Sequence, residues 1–224
     1  MTFSIAARCA RTGMFGIAVS SSSPSVAARC AHARAGIGAV ATQNITDPTL
    51  GPKGLDLLAE LSATDALTLL KRDAEHIDYR QIALIDREGR TASFSGKNTL
   101  GLHATAESLN AVAAGNLLSG PTIPQSMLDA FHADQESELG DRILAAMKAA
   151  LAAGGEEGPV HSAGMILVDD VSWPFADLRV DWHDTDPIGA LEHLWQLWKP
   201  QARDYITRAL NPSTAPAYGV PGDM

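Results

Sequence analysis

The order and period of the apolar residues predict an α+β protein with two antiparallel sheets. Three observations carry the prediction. Three strand-like segments fall within the first 45 residues with little helix between them. Two later pairs of strand-like segments are joined by short turns, and helix-period segments come in blocks after strands instead of alternating with each one. A doubly wound parallel sheet would require that alternation.

Residues 2–9 (TFSIAARC) put Phe3, Ile5 and Ala7 on one face and Thr2, Ser4, Ala6 and Arg8 on the other, the period of a strand. A turn around residues 11–13 leads into a second strand at 14–22, paired with the first as a hairpin. A Ser-rich loop with Pro24 and a short Ala-rich segment at 25–34 follow, then a third strand at 35–43 built from small residues. Residues 46–52 (TDPTLGP) read as a loop and 53–60 as a helix. Ser62, with Asp65 three positions on, starts a capped helix running to about Arg72. Residues 79–86 and 90–95 form a hairpin around Arg87 and Gly89, and 108–115 add a strand. Helices are predicted over 121–132 and 137–153, the latter stopped by Gly154 and Gly155. Residues 161–169 and 176–182 make a last hairpin. Asp186 and Pro187 open a helix through Trp198 that carries Leu191, Leu194, Trp195 and Trp198 at helical spacing. Residues 1–210 are expected to form one domain, with the Pro/Gly-rich residues 211–224 a loose tail.

The composition bounds the partners. Hydrophobic residues make up 46% of the chain and aromatic ones only 5%, so the core must be built from Ala, Val, Ile and Leu, which let layers approach closely. A net charge of −9 with scattered basic residues argues against nucleic-acid or anionic-membrane binding. No segment reaches the roughly 20 apolar residues of a membrane span, and the first residues lack a basic stretch followed by an apolar one. The expectation is a cytoplasmic protein acting on a small molecule, with the Trp-bearing last helix and Ala-rich surfaces suggesting a homodimer. Cys9 and Cys30 are expected as reduced, buried thiols.

Thr2 is the residue with the sharpest chemistry. Initiator methionine is removed when the next residue is small. A mature Thr2 would then carry a free α-amine beside its own hydroxyl. With a pKa of about 7.7–8, such an amine is partly neutral near pH 7 and can take the hydroxyl's proton. Starting a strand, the group would sit on a rigid element. Polar residues gather where neighbouring strands end: Ser20 to Ser23, Gln43 with Asn44, and Gly115 with Asn116. Such side chains, with backbone amides near Gly, are what an oxyanion site requires. The predicted catalytic residues are Thr2 and Asn116, and the predicted pocket residues are Ser4, Ser21, Gln43, Asn44 and Ser162.

The opening MTFSIAAR, then GIAVSSS, ARAGIGAVATQN, GPKGLDLL, YRQIALID, SFSGK, AAGNLLSG, HSAGMILV and LRVDWHDTDPIGAL, resembles in order and spacing a bacterial and archaeal family of unknown function within the Ntn-hydrolase-like superfamily. The likeness spans about residues 2–200. It implies a four-layer αββα sandwich and places Thr2 where the superfamily carries its nucleophile, attacking an amide carbonyl to form an acyl-enzyme. Only Thr2 inherits a role. The segment SPSVAARCAHARAG departs from the family's larger apolar residues and Trp, so the pocket is expected to be shaped differently.

The remaining residues have plainer readings. Arg8 shares Thr2's face but lies ~20 Å along the strand at about 3.3 Å per residue, and is expected in a surface salt bridge. The seven histidines show no metal spacing, and His183 with Asp181, Asp184 and Asp186 reads as loop polarity. Glu156 and Glu157, in a Gly-rich turn, are expected to be solvated. No cofactor is called for. Two functions follow: a hydrolase of a small amide, ureido or peptide-like C–N bond through Thr2, or a non-catalytic ligand-binding or assembly module on the same fold.

Overall fold

A computed structural model describes residues 1–220. It is an α+β structure with two antiparallel sheets and, among the described residues, seven α-helices. In chain order these are β1 (Thr2–Arg8), β2 (Phe15–Ser21), α1 (Ala27–Cys30), β3 (Ala31–Arg34), β4 (Gly38–Asn44), α2 (Leu50–Leu58), α3 (Ala63–Asp73), β5 (Arg80–Asp86) and β6 (Thr91–Ser95). There follow β7 (Ala104–Ser108), β8 (Ala111–Asn116), α4 (Ile123–Ala133), α5 (Leu139–Ala152), β9 (Ser162–Val168), β10 (Ala176–Val180), α6 (Pro187–Trp198) and α7 (Ala202–Leu210). The larger sheet runs β10-β9-β2-β1-β8-β7 and the smaller β3-β4-β5-β6.

β1 is central in the larger sheet and its two faces have separate fates. Phe3, Ile5 and Ala7 join a cluster with Leu128 and Phe131 of α4, Ile143 and Met147 of α5, and Leu191 and Trp195 of α6. Ala6, on the other face, joins Ile17, Val19, Val112 and Ala114 of the same sheet and Ala39, Ala41, Ala83 and Ile85 of the smaller one. That inter-sheet cluster is mostly Ala and Val, as the low aromatic content requires. A third cluster packs Val40, Ile82 and Leu84 against Leu50, Leu55 and Leu58 of α2 and Leu67 and Leu70 of α3.

The GPKGLDLL motif has a packing reason. Helix α2 starts at Leu50, three residues before the predicted Lys53, because Pro52 falls in its first turn, where no N–H is missed. Its glycines face the smaller sheet. A Cβ on Gly51 would stand 2.1 Å from the His32 ring, and one on Gly54 would meet Val40 at 3.1 Å. Ser62 caps α3 as predicted, its hydroxyl accepting from Asp65 N at 3.2 Å.

Three elements differ from the sequence reading. The Ala-rich segment at 25–34 divides into the one-turn α1 and the edge strand β3. The single strand predicted over 108–115 is a hairpin, β7 and β8, turning at Leu109 and Asn110, where Asn110 takes a φ of 68°. Helix α7 was not foreseen, and its Arg208 stacks over Tyr218 at 4.0 Å. The end of the predicted tail, residues 221–224, lies outside the described residues. No helix among the described residues is long and apolar enough to cross a membrane.

Candidate functional site

At the Thr2 end of β1 the inter-sheet gap turns polar. The register sets Thr2 opposite Ser21 on one side and Asn116 on the other, and Ser21 opposite Ser162. Opposed residues in antiparallel strands project to one face, so Ser162, Ser21, Thr2 and Asn116 form a single row across four strands. By strand parity that face is the one carrying Ala6, Val19 and Ala114, toward the smaller sheet.

The smaller sheet answers with amides. Ser4 Oγ donates to Gln43 Oε1 at 2.7 Å, and Gln43 Nε2 donates to Gln81 Oε1 at 2.8 Å. Asn116 Nδ2 donates to the same Gln81 oxygen at 3.1 Å, while Gln81 Nε2 donates to Ser95 Oγ and to the Gly115 carbonyl, both at 2.9 Å. Ser4, Gln43, Gln81 and Asn116 are all buried. Buried amides are tolerated when satisfied, and this network satisfies them. Gln81 was not singled out from sequence. Its signal was there: in YRQIALID it occupies the same face as the buried Ala83 and Ile85.

Thr2 is 6% exposed and lies beneath the half-buried Met1. Its hydroxyl, with one proton to give, reaches the Met1 carbonyl and stands 3.3 Å from Ser21 Oγ. Ser21 Oγ also donates to the Met1 carbonyl and accepts from Ser23 N at 3.1 Å. Two hydroxyls therefore converge on one carbonyl oxygen directly beside Thr2.

Glu156 corrects the sequence reading. Glu157 is exposed, but Glu156 is only 6% exposed, and neither carboxylate oxygen has a hydrogen-bond partner among the described residues. The glycine turn explains it. Gly154 and Gly155 adopt φ of 115° and 61°, and the chain folds back so that Glu156 bridges to Leu118, two residues beyond Asn116. Burial pushes the Glu156 carboxyl up to about 8, opposed by the charge of the nearby Met1 amine. The Met1 thioether lies over Gly158, where a Cβ would stand 3.1 Å from Met1 Cε.

The other predicted pocket residues use their side chains to hold loops. Asn44, at φ 75°, uses its side chain to tie loops, donating to the Tyr79 carbonyl at 2.7 Å and accepting from Leu100 N at 3.1 Å. Ser162 Oγ donates to the Ser23 carbonyl at 2.6 Å and accepts from Val26 N at 3.3 Å, pinning the loop after β2. Arg8 makes no ion pair among the described residues; its Nη1 donates to Asn110 Oδ1 at 3.3 Å, and the surface salt bridge expected for it is absent because the neighbouring turn offers an amide. His183 Nδ1 accepts from Thr185 N at 3.3 Å and Asp186 N at 2.9 Å, a loop role. Among the described residues no group of three or more His, Cys, Asp and Glu could hold a metal. Cys9 and Cys30 are free and buried.

The model of a family of unknown function, DUF1028, matches residues 2–191. A crystal structure of a DUF1028-family protein from Silicibacter pomeroyi is similar at 30% identity with a TM-score of 0.82, covering 88% of this chain and 89% of that one. Anbu, an ancestral beta-subunit, from Yersinia bercovieri matches at 13% identity and a TM-score of 0.43, over 90% of this chain and 97% of that one. A Gly-1 mutant of Anbu from Hyphomicrobium sp. strain MC1 matches at 12% and 0.41, over 91% and 96%. No curated protein matches.

Proposed function

The chain belongs to the DUF1028 family of unknown function, and on that premise we propose that it is an N-terminal-nucleophile amidohydrolase on a four-layer αββα fold, cleaving a small amide, ureido or peptide-like C–N bond with Thr2. The observation that carries the reading is the pair of hydroxyls, Thr2 Oγ1 and Ser21 Oγ, both directed at a carbonyl oxygen at the head of the central strand.

Removal of Met1 would uncover the Thr2 hydroxyl and free the α-amine beside it. The amine takes the hydroxyl proton as Oγ1 attacks the substrate carbonyl. Ser21, already a donor to a carbonyl oxygen at this position, supplies one hydrogen bond to the developing oxyanion, and Asn116 has a second N–H beyond the one given to Gln81. Collapse of the tetrahedral adduct passes the proton to the leaving nitrogen and leaves an acyl group on Thr2, which water then cleaves. Gln43 and Gln81 hold the row in place. Glu156 lies near the strand's head; ionised, it would pair with the amine and quench it, so the mechanism calls for the neutral carboxyl that burial favours.

Intact-mass spectrometry of cell-made protein is the first test. Loss of one Met mass is the expected result, and quantitative retention of Met1 removes the mechanism and favours the ligand-binding module. The second is covalent labelling by an acylating probe, expected on Thr2 in the mature protein and absent in Thr2→Ala. Labelling that persists in that variant places the nucleophile elsewhere.

A further inference from the structure

At the Arg8 end of β1 a cavity of about 370 Å³ opens between the β1–β2 turn, the β7–β8 turn and helices α4 and α5. Arg142 of α5 is only 6% exposed. Its Nε donates to the Phe131 carbonyl at 3.1 Å and its guanidinium lies over the Phe131 ring, 4.0 Å from the centroid. That stacking leaves the two terminal nitrogens for the cavity. Arg8 reaches the same space, anchored by Asn110, with its Nε buried and unpartnered. Neither guanidinium has a carboxylate within ion-pair distance among the described residues.

The rest of the lining does not cancel these charges. Glu136 is committed to Arg11 at 2.8 Å, so that pair is neutral in sum. His132 bonds Ser108 through Nε2 at 2.8 Å, and burial together with the Arg142 charge lowers its pKa, which keeps it uncharged near pH 7. Two arginines therefore face one cavity in a protein of net charge −9. A cation held away from water without a counter-charge is costly, and an anion entering the cavity recovers that cost. The planar fork of guanidinium suits carboxylate and phosphate oxygens, and the volume suits a small ligand.

We propose that this cavity binds a small oxyanion, a carboxylate or a phosphate, clamped between Arg8 and Arg142, at a site independent of Thr2. Calorimetry and thermal unfolding with inorganic phosphate and, separately, malonate test it on the full chain, against sodium chloride at matched ionic strength. Saturable binding of either is expected, with Tm raised by about 5–10 °C at about a hundredfold excess over Kd; which anion binds identifies a tetrahedral or a planar ligand. Arg142→Gln and Arg8→Gln are each expected to weaken binding about tenfold or more. Arg8 is half-buried at a strand end, so its variant keeps the test decisive should Arg142→Gln fail to fold. Stabilisation no greater than that of chloride, or undiminished binding in Arg8→Gln, overturns the proposal.

Discussion

The two ends of β1 hold buried ionisable groups of opposite kind, an acid at one and a base at the other. At the Thr2 end a buried carboxyl, Glu156, faces the chain's amine with no hydrogen bond to either oxygen. At the Arg8 end Arg8 and the buried Arg142 face a cavity whose one lining carboxylate, Glu136, is paired with Arg11 instead. Between them the strand packs Phe3, Ile5 and Ala7 in a dry core. A protein that only had to fold could replace such groups with apolar ones at no loss, because isolated buried charges destabilise. Their survival at both ends, and not in the middle, marks the ends as places where something else meets the chain. The ends also differ in kind: the first is lined by satisfied amides, the second by cations awaiting a partner.

The largest expected effect separates the ends completely. Thr2→Ala should abolish amide hydrolysis and probe labelling, leave Tm within a few degrees of the parent, and leave phosphate binding at the Arg8 end unaltered. A variant that lost both activities would show the two ends to be one site.

Glu156→Gln tests the carboxyl end by stability. In the Met1-bearing chain the folded carboxyl sits at about 8, above the ordinary value of 4.5. The folded state thus holds a proton that the unfolded chain gives up, so stability contributed by Glu156 is intact below the unfolded value and falls as pH rises from there through about 8. Denaturant melts of protein that retains Met1 should lose up to about 4 kcal/mol across that window, and Glu156→Gln in the same form should flatten the curve. Parallel curves for the two proteins would mean that water reaches the carboxylate.

Next in size is the amide network. Gln81 accepts from Gln43 and Asn116 and donates to Ser95 and Gly115. Gln81→Leu fits the volume but strands two amide donors, at a cost of about 2–4 kcal/mol. Equilibrium denaturation measures it. A cost below ~1 kcal/mol would mean that the donors find other partners.

How much of this was legible follows the range of the interactions. β1 and β2 read directly because alternation and short apolar runs are local. Ser62 capping Asp65 is a three-residue event and was found. Ser21 and Asn116 were chosen as polar residues at strand ends, and the register does bring them to Thr2. The short edge strands β3 and β7 were missed because each is only four or five residues long and neither contains an apolar residue larger than Ala to mark a face. Glu156 looked solvated because its burial depends on the glycine turn folding back to Leu118, a contact between residues 38 positions apart. Asn44 reads as a pocket amide in the sequence, but its side chain is taken up by the Tyr79 carbonyl and the Leu100 N–H, contacts 35 and 56 positions away.

The smallest expected effect isolates what burial does at the cationic end. Arg11 and Arg142 line the same cavity, yet Arg11 is 49% exposed and pairs with a Glu136 that is 90% exposed. Such a pair contributes about 0–1 kcal/mol, since water screens it and two long side chains must be ordered to make it. Arg11→Gln should therefore change stability by less than ~1 kcal/mol. It also frees Glu136 to oppose an entering anion, so phosphate affinity should fall, though by less than in Arg8→Gln. If Arg11→Gln weakened phosphate more than Arg8→Gln did, the clamp would be built from the exposed arginine, and the buried Arg142 would owe its place to the Phe131 ring alone.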